Sequence, residues 1–407
     1  MTETATLDSD PSTPMGMHAL AKLAFSGTDL SPLSSRLIQR MIAEPENAAV
    51  LMDLATIEQL LGNRVDGLDL QMRALAYRRI FHRPPAVAGT PGLRLLAFMA
   101  PGDFMANTPL EFLLEGSDVS LDMLYVLPGQ PLPDSVPEHD LAFVAVGESD
   151  ENQGLLRQLE PVIHAWPRPV LNAPERIAQL SREGAWELLG SAPGIVMPRT
   201  LRIDRLSLSA IASGAVPVET ALGDGTYPII ARPIGSHAGQ GLTKIDDAAG
   251  VAAYLKDRPE DEFYLARFVD YRSADGRFRK YRVALVDGRP FASHMGVSDH
   301  WMIHYLNAGM RESAEKRAEE ARFMAEFDDA FARRHEAAFR ELTERVGLAY
   351  FGIDCGETPE GKLLIFEVDV AMIVHAMDPP DLFPYKQPQM RKVFDAFRAM
   401  LGRAAAG

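Results

Sequence analysis

The segment YFGIDCGETPEGKLLIFEVDV, Tyr350 to Val370, limits the fold of this 407-residue chain more than any other. Two apolar runs flank Glu360-Gly361, and within them stand three acidic residues, Asp354, Glu367 and Asp369. Side chains alternate along a strand, so a two-residue turn at Glu360-Gly361 places Asp354 directly across from Glu367, with Asp369 on the same face two residues on. The neighbours FGID and IFEV are too apolar for an exposed ribbon. The expectation is therefore a hairpin on which three carboxylates converge. Crowding them is costly without cations, and hard oxygen ligands are what Mg2+ takes beside phosphates.

The rest of the composition narrows the class. A hydrophobic fraction of 47% against 24% charged residues is that of a globular protein, and 407 residues exceed what one core organises, so several lobes are expected. The net charge of −15 repels a phosphate backbone, which argues against nucleic acid as a partner and requires any anionic ligand to find a local basic pocket. The single cysteine, Cys355, cannot form an intramolecular disulfide and fits a reducing compartment. The first residues, MTETATLDSD, are acidic where a secretory signal is basic, and no apolar run reaches about 18 residues. A cytoplasmic protein with no membrane partner is expected.

Along the chain, residues 1–14 read as a polar tail. Residues 15–85 read as helical, with two amphipathic helices broken at Gly62-Asn63. This pair resembles one tetratricopeptide-like hairpin, a candidate surface for a protein partner; a plain helical hairpin is the alternative. After a linker at Arg83–Gly92, the runs LRLLAFMA, LDMLYVL and DLAFVAVG read as buried strands of a parallel α/β sheet, a Rossmann-like lobe. Asn107-Thr108-Pro109 stands where a helix cap is expected before PLEFLLE, with an anion-binding helix start as the second reading.

PIIARPIGSHAGQGLTKI, Pro228 to Ile245, reads as a strand, a glycine-rich turn and a second strand. Gly235, Gly239 and Gly241, with Ser236 and Gln240 among them, allow backbone N–H groups to approach phosphate oxygens; an ordinary hairpin is the alternative. The turn joins strands and does not enter a helix, which excludes a P-loop or dinucleotide fingerprint. EFYLARFVDY reads as a further buried strand, and Asp287-Gly288 joins two more in a tight hairpin. The charged stretch from Arg311 to Gly347 reads as helical scaffold.

Taken in order, these motifs resemble the ATP-grasp ligases of the glutathione-synthetase-like and ribosomal-protein-S6-modifying kinds, from about Leu93 to the carboxy terminus. Asn172, Pro174, Pro198 and Thr200 match the outline of that fold's entry. The resemblance implies an α/β architecture (the α+β ATP-grasp fold). A Rossmann-like lobe at 92–185 would precede an ATP-grasp domain at 186–407, with residues 186–270 clasping ATP and 271–407 carrying metals and catalysis. It implies that Arg232, in place of the usual lysine, binds phosphates with the Gly235–Gly241 loop. Backbone groups of Ala266, Arg267 and Phe268 would pair with adenine, and Asp270 is a candidate ribose ligand. Arg282 would be the catalytic arginine on the transferred phosphate. Asp354, Glu367 and Asp369 would hold two Mg2+, or Mn2+ in substitution, Asp369 standing where the family has asparagine. His294, His300 and His304, with Asn107 and Thr108, are candidate substrate contacts.

The implied reaction joins a carboxylate to an amine, small-molecule or peptide, through an acyl-phosphate. A small-molecule kinase and a non-catalytic nucleotide-binding adaptor remain as alternatives, and a homodimer is a candidate assembly.

Overall fold

In the computed structural model, which describes residues 13–87, 89, 92–223, 225–236 and 239–407, the chain divides into two units. The expected tail falls, through residue 12, outside the described residues, as do part of the expected linker and His237 and Ala238 of the glycine-rich turn.

The first unit comprises residues 1–178, 348–351 and 370–407. It opens with helices Met17–Phe25, Ser31–Ala43, Ala48–Leu60 and Arg64–Tyr77, the last two separated at Leu61–Asn63 as the sequence leads one to expect. The third is not amphipathic: ten consecutive residues, Ala48 to Ile57, are buried. A helix apolar on every side is a core helix, and Val50, Leu54 and Ile57 pack with Leu20, Leu33 and Leu37 of the first two. Asn47 caps it, its side chain accepting from the N–H groups of Ala49 and Val50.

Asp53, inside this core helix, accepts hydrogen bonds from the backbone N–H of Met15 at 2.8 Å and Gly16 at 3.1 Å, tying down the amino-terminal segment. Burial pushes its carboxyl up to about 6, against these two bonds. The folded chain then holds a proton here that the unfolded chain has released above about pH 4. This group's contribution to stability is therefore greatest below pH 4 and is lost as the pH rises through 6, by about 3 kcal/mol. Thermal denaturation between pH 4.5 and 7 should show that decline, and Asp53→Asn should flatten it; an identical pH profile in the variant would contradict this account.

The sheet of this unit has the order β1-β3-β2-β4-β5, with β1 (Ile80–Arg83), β2 (Leu93–Met99), β3 (Val119–Tyr125), β4 (Leu141–Val144) and β5 (Val170–Leu171). β2 to β5 run parallel and β1 antiparallel to β3. Every residue of β3 and β4 is buried, as a parallel sheet covered on both faces requires. Helix Lys386–Ala406 supplies part of the cover, Phe397 packing edge-on to Tyr350 and tilted on Phe143.

The expected cap at Asn107-Thr108 does not form. The following helix is one turn, Leu110–Leu113, with Pro109 at its cap position and no side-chain bond there. Asn107 instead holds both backbone groups of Ala100 at the end of β2, accepting from its N–H at 2.7 Å and donating to its carbonyl at 2.8 Å. Asn172, in the left-handed region at φ 59, clamps Tyr350 in the same way. In both places a short amide side chain satisfies a backbone pair that the sheet leaves open.

The second unit comprises residues 179–347 and 352–369. Its strands are β6 (Ile195–Val196), β7 (Thr200–Asp204), β8 (Ile229–Pro233), β9 (Thr243–Ile245), β10 (Glu262–Arg267), β11 (Phe278–Val286), β12 (Arg289–Ser298), β13 (Tyr350–Glu357, from Gly352 in this unit) and β14 (Leu363–Asp369). One sheet is antiparallel with order β7-β10-β8-β9; its inner face packs on helices Arg205–Ala212 and Ala248–Asp257 through Ile203, Leu208, Ile229, Val251 and Phe263. The other has order β12-β11-β13-β14-β6. Asp287 (φ 50) and Gly288 (φ 76) make the tight turn between β11 and β12 that their composition demands. No described helix is long and apolar enough to cross a membrane.

Candidate phosphate and metal site

Along β8 burial alternates: Ile229, Ala231 and Pro233 face the core, whereas Ile230 and Arg232 face outward, opposite Ala266 and Tyr264 of β10. Alternation thus sends the guanidinium of Arg232 to the open face of the sheet, at the mouth of the glycine-rich turn. There its Nε donates to the Ser236 hydroxyl at 3.1 Å and an Nη to the Ser236 carbonyl. No carboxylate among the described residues forms an ion pair with it, and burial, followed by the Arg182 charge, lowers its pKa to about 10. It stays charged at neutral pH and is a partly desolvated cation, the state that an anionic ligand relieves.

The described ends of the turn have the backbone this requires. Gly235 and Gly241 adopt φ 71 and 66, and a Cβ on Gly241 would stand 2.6 Å from the Pro233 ring.

The carboxylates are held otherwise than the sequence suggests. The β13–β14 turn is not the two-residue Glu360-Gly361: Thr358 N–H donates to the Lys362 carbonyl, and Pro359 to Gly361 form a three-residue loop with Gly361 at φ 78. That loop shifts the register by one, giving Cys355 opposite Ile365. A bulge after Asp354 restores the pairing of Asp354 with Glu367, and Asp369 falls opposite Gly352. The two offsets cancel.

The three carboxylates form no preformed metal cage; among the described residues no three His, Cys, Asp or Glu side chains are grouped to hold an ion. Cations sit on Asp354 and Glu367, and the charge of Asp369 also acts on Arg282. Asp354, 2% exposed at its side chain, takes Arg282 Nε at 2.8 Å and Nη2 at 3.0 Å in a fork, and Lys280 Nζ at 2.7 Å. Glu367 takes Arg182 Nη2 at 2.5 Å, while Nη1 of the same arginine reaches the Phe366 carbonyl at the bulge. Burial alone would raise Asp354, but Arg282 and Lys280 outweigh it and hold its carboxyl far below the usual range. Glu367 is likewise lowered, burial being outweighed by Arg182 with help from Arg232 and Lys280.

Sequence reading missed Lys280 and Arg182. The period of β11 was the available signal for Lys280: it lies two residues before Arg282 and so on the same face. Nothing local marked Arg182, on the helix Arg182–Leu189, because its partner lies far along the chain.

The expected adenine hinge is partly committed. β10 lies inside its sheet, and the Phe268 N–H donates to the Pro228 carbonyl at 2.8 Å, so that donor is not open to a base edge. Ala266 pairs in register on both sides, and Arg267 pairs with Ile229. At the end of this strand lies a cavity of about 470 Å3 lined by Lys244, Phe268, Asp270, His300 and Trp301 among others. Lys244 Nζ stands 5.0 Å from the Phe268 ring, and Phe268 meets Trp301 edge-on at 5.7 Å. Asp270 accepts from the Arg272 N–H and faces its guanidinium.

Of the other candidates, His294 pairs in register with Arg282 and packs on Tyr305 at 4.4 Å. His304 is lowered by burial and then by Lys280 and Arg282, which places it beside the cation group and keeps it neutral at pH 7. Asn107 and Thr108 belong to the first unit, where Asn107 serves β2 and Thr108 is buried.

The donor chemistry, hard oxygens interleaved with four cations, fits a metal ion arriving with a polyphosphate and not a bare metal ion. No family model matches this chain, and no curated protein does. Among solved structures it is similar to a RimK-domain ATP-grasp protein of Sphaerobacter thermophilus, at 15% identity and TM-score 0.40, covering 77% of this chain and 100% of that one. The VanG D-Ala:D-Ser ligase of Enterococcus faecalis is similar at 14% identity and TM-score 0.46, covering 76% and 99%. The D-alanine–D-alanine ligase of Bacillus anthracis, solved with ATP, is similar at 12% identity and TM-score 0.46, covering 77% and 99%. The functional reading of this chain therefore rests on its own residues.

Proposed function

We propose that this chain is an ATP-dependent ligase of the ATP-grasp type that joins a carboxylate to an amine. The observation that carries the reading is the set Arg182, Arg232, Lys280 and Arg282 interleaved with Asp354 and Glu367 in one unit, beside a glycine turn. Four cations against Asp354, Glu367 and Asp369 leave this cluster net positive in a chain of net charge −15, which favours an anionic ligand.

In this reading Arg232 and the Gly235–Gly241 turn hold phosphates, the Lys244–Phe268–Trp301 cavity takes the nucleoside, and Asp354, Glu367 and Asp369 would hold Mg2+, which would neutralise phosphate charge. A substrate carboxylate oxygen attacks the γ-phosphorus of ATP, the bond to the bridging oxygen breaks, and ADP leaves. Arg282 stabilises the charge spreading over the transferred group. The amine nitrogen then attacks the acyl carbon, phosphate leaves, and the amine proton is lost; neutral His304 is the candidate acceptor.

The test is ADP release from full-length protein screened against carboxylates with and without amines. Hydroxylamine is added to trap an activated acyl group. Amine-dependent ADP release with hydroxamate formation is expected. ADP release that needs no amine and gives no hydroxamate would indicate a kinase, nucleotide binding without ADP release would favour a non-catalytic nucleotide-binding adaptor, and absence of nucleotide binding by folded protein would sink the ligase and kinase readings together.

With a cognate substrate in hand, Arg232→Ala should raise the apparent KM for ATP at least tenfold, and Arg232→Lys should recover part of it by restoring the charge without the fork. An alanine variant with unchanged ATP dependence would make Arg232 structural.

A further inference from the structure

We infer that Lys280, Arg282 and Arg182 stand in for the divalent cations on Asp354 and Glu367, so that metal and nucleotide enter this site only together. The inference rests on the ligase reading for the identity of the nucleotide, but its physical content lies in the ion pairs. Both oxygens of Asp354 are occupied, Oδ1 by Arg282 and Oδ2 by Arg282 and Lys280, and Oε1 of Glu367 is occupied by Arg182. A bare divalent ion would have to displace these groups and then share a poorly solvated space with them and with Arg232, like charge against like.

A polyphosphate reverses the balance, since it offers the displaced arginines and lysine the oxygen acceptors they lose. Each carboxylate exchanges a side-chain cation for a metal, and each side-chain cation exchanges a carboxylate for a phosphate. Neither half is favourable alone: nucleotide without metal would strip Asp354 and Glu367 of partners and leave the buried Asp354 anion uncompensated. The coupling must be mutual, metal tightening nucleotide by the factor by which nucleotide tightens metal. Lys280 is the most discriminating residue here, because Asp354 is its sole ion-pair partner among the described residues and Arg282 still covers Asp354 when it is removed.

The experiment is calorimetry and Mn2+ electron paramagnetic resonance on the full chain. ADP with Mg2+ in excess should bind, while ADP in chelator should bind at least 100-fold more weakly. Mn2+ without nucleotide should bind no tighter than to a surface carboxylate. Lys280→Gln should raise the nucleotide-free Mn2+ affinity about tenfold by removing one positive charge from beside Asp354.

Tight Mn2+ binding by the parental chain without nucleotide would overturn the inference while leaving the ligase reading intact. So would unchanged Mn2+ affinity in Lys280→Gln. Failure of ADP to bind under any metal condition would instead remove the reading on which it rests. If Lys280→Gln does not fold, the parental comparison of metal with and without nucleotide still decides.

Discussion

Arg282→Met should destabilise the chain by about 3 kcal/mol, the lower end of the cost of leaving a buried carboxylate without its principal partner. The reason is geometric: Arg282 grips both oxygens of Asp354 in a fork at 2.8 and 3.0 Å on a carboxylate that is almost wholly inside. Lys280 remains and limits the loss. Adding Asp354→Asn should return most of the stability, because the uncompensated charge is then gone, and the two changes are coupled by contact. Urea denaturation of the parent, both single variants and the double variant measures this cycle. A single variant within 1 kcal/mol of the parent would mean that the pair is solvated and that Arg282 is held for function alone. The same coupling shows why a rate effect of Arg282→Met cannot be read without the stability measurement beside it.

Glu367→Gln should act in the opposite manner, with a large effect on turnover and a small one on the fold. The amide keeps an oxygen that can accept the Arg182 hydrogen bond now at 2.5 Å, so packing at the bulge survives. What it loses is the anionic ligand for the metal that accompanies ATP in the proposed reaction. ADP release with a cognate carboxylate and amine should fall by a factor on the order of 10² or more, with the melting temperature nearly unchanged. Near-parental turnover would show that Glu367 belongs to the ion-pair scaffold and not to metal binding. A matching loss of turnover and stability would point the same way.

Local rules made several parts of this molecule readable. The break between the third and fourth helices at Leu61–Asn63 follows from glycine and asparagine chemistry, and the Asp287-Gly288 turn from the positive φ it needs. The buried runs of β2, β3 and β4 follow from a parallel sheet covered on both faces. The outward direction of Arg232 follows from strand alternation once β8 is recognised. Each of these is decided within a few residues.

The tertiary structure decided the partners. Asp354 does face Glu367, but by a three-residue turn and a compensating bulge, an arrangement that strand period cannot distinguish from a two-residue turn with none. Sequence marked Asp354, Glu367 and Asp369 as candidate metal ligands but not their partners in the packed chain, where Asp354 meets Arg282 and Lys280 and Glu367 meets Arg182, since a charge shielded from water takes the nearest compensating group whatever its distance in sequence. Asn107 left the helix cap for the backbone of Ala100 for the same reason: the unmet hydrogen bonds were there. Sequence fixes which residues can be bent, paired or charged within a turn or a strand. Only the packed chain settles which distant group satisfies each one, because that choice minimises unpaired polarity over the whole interior.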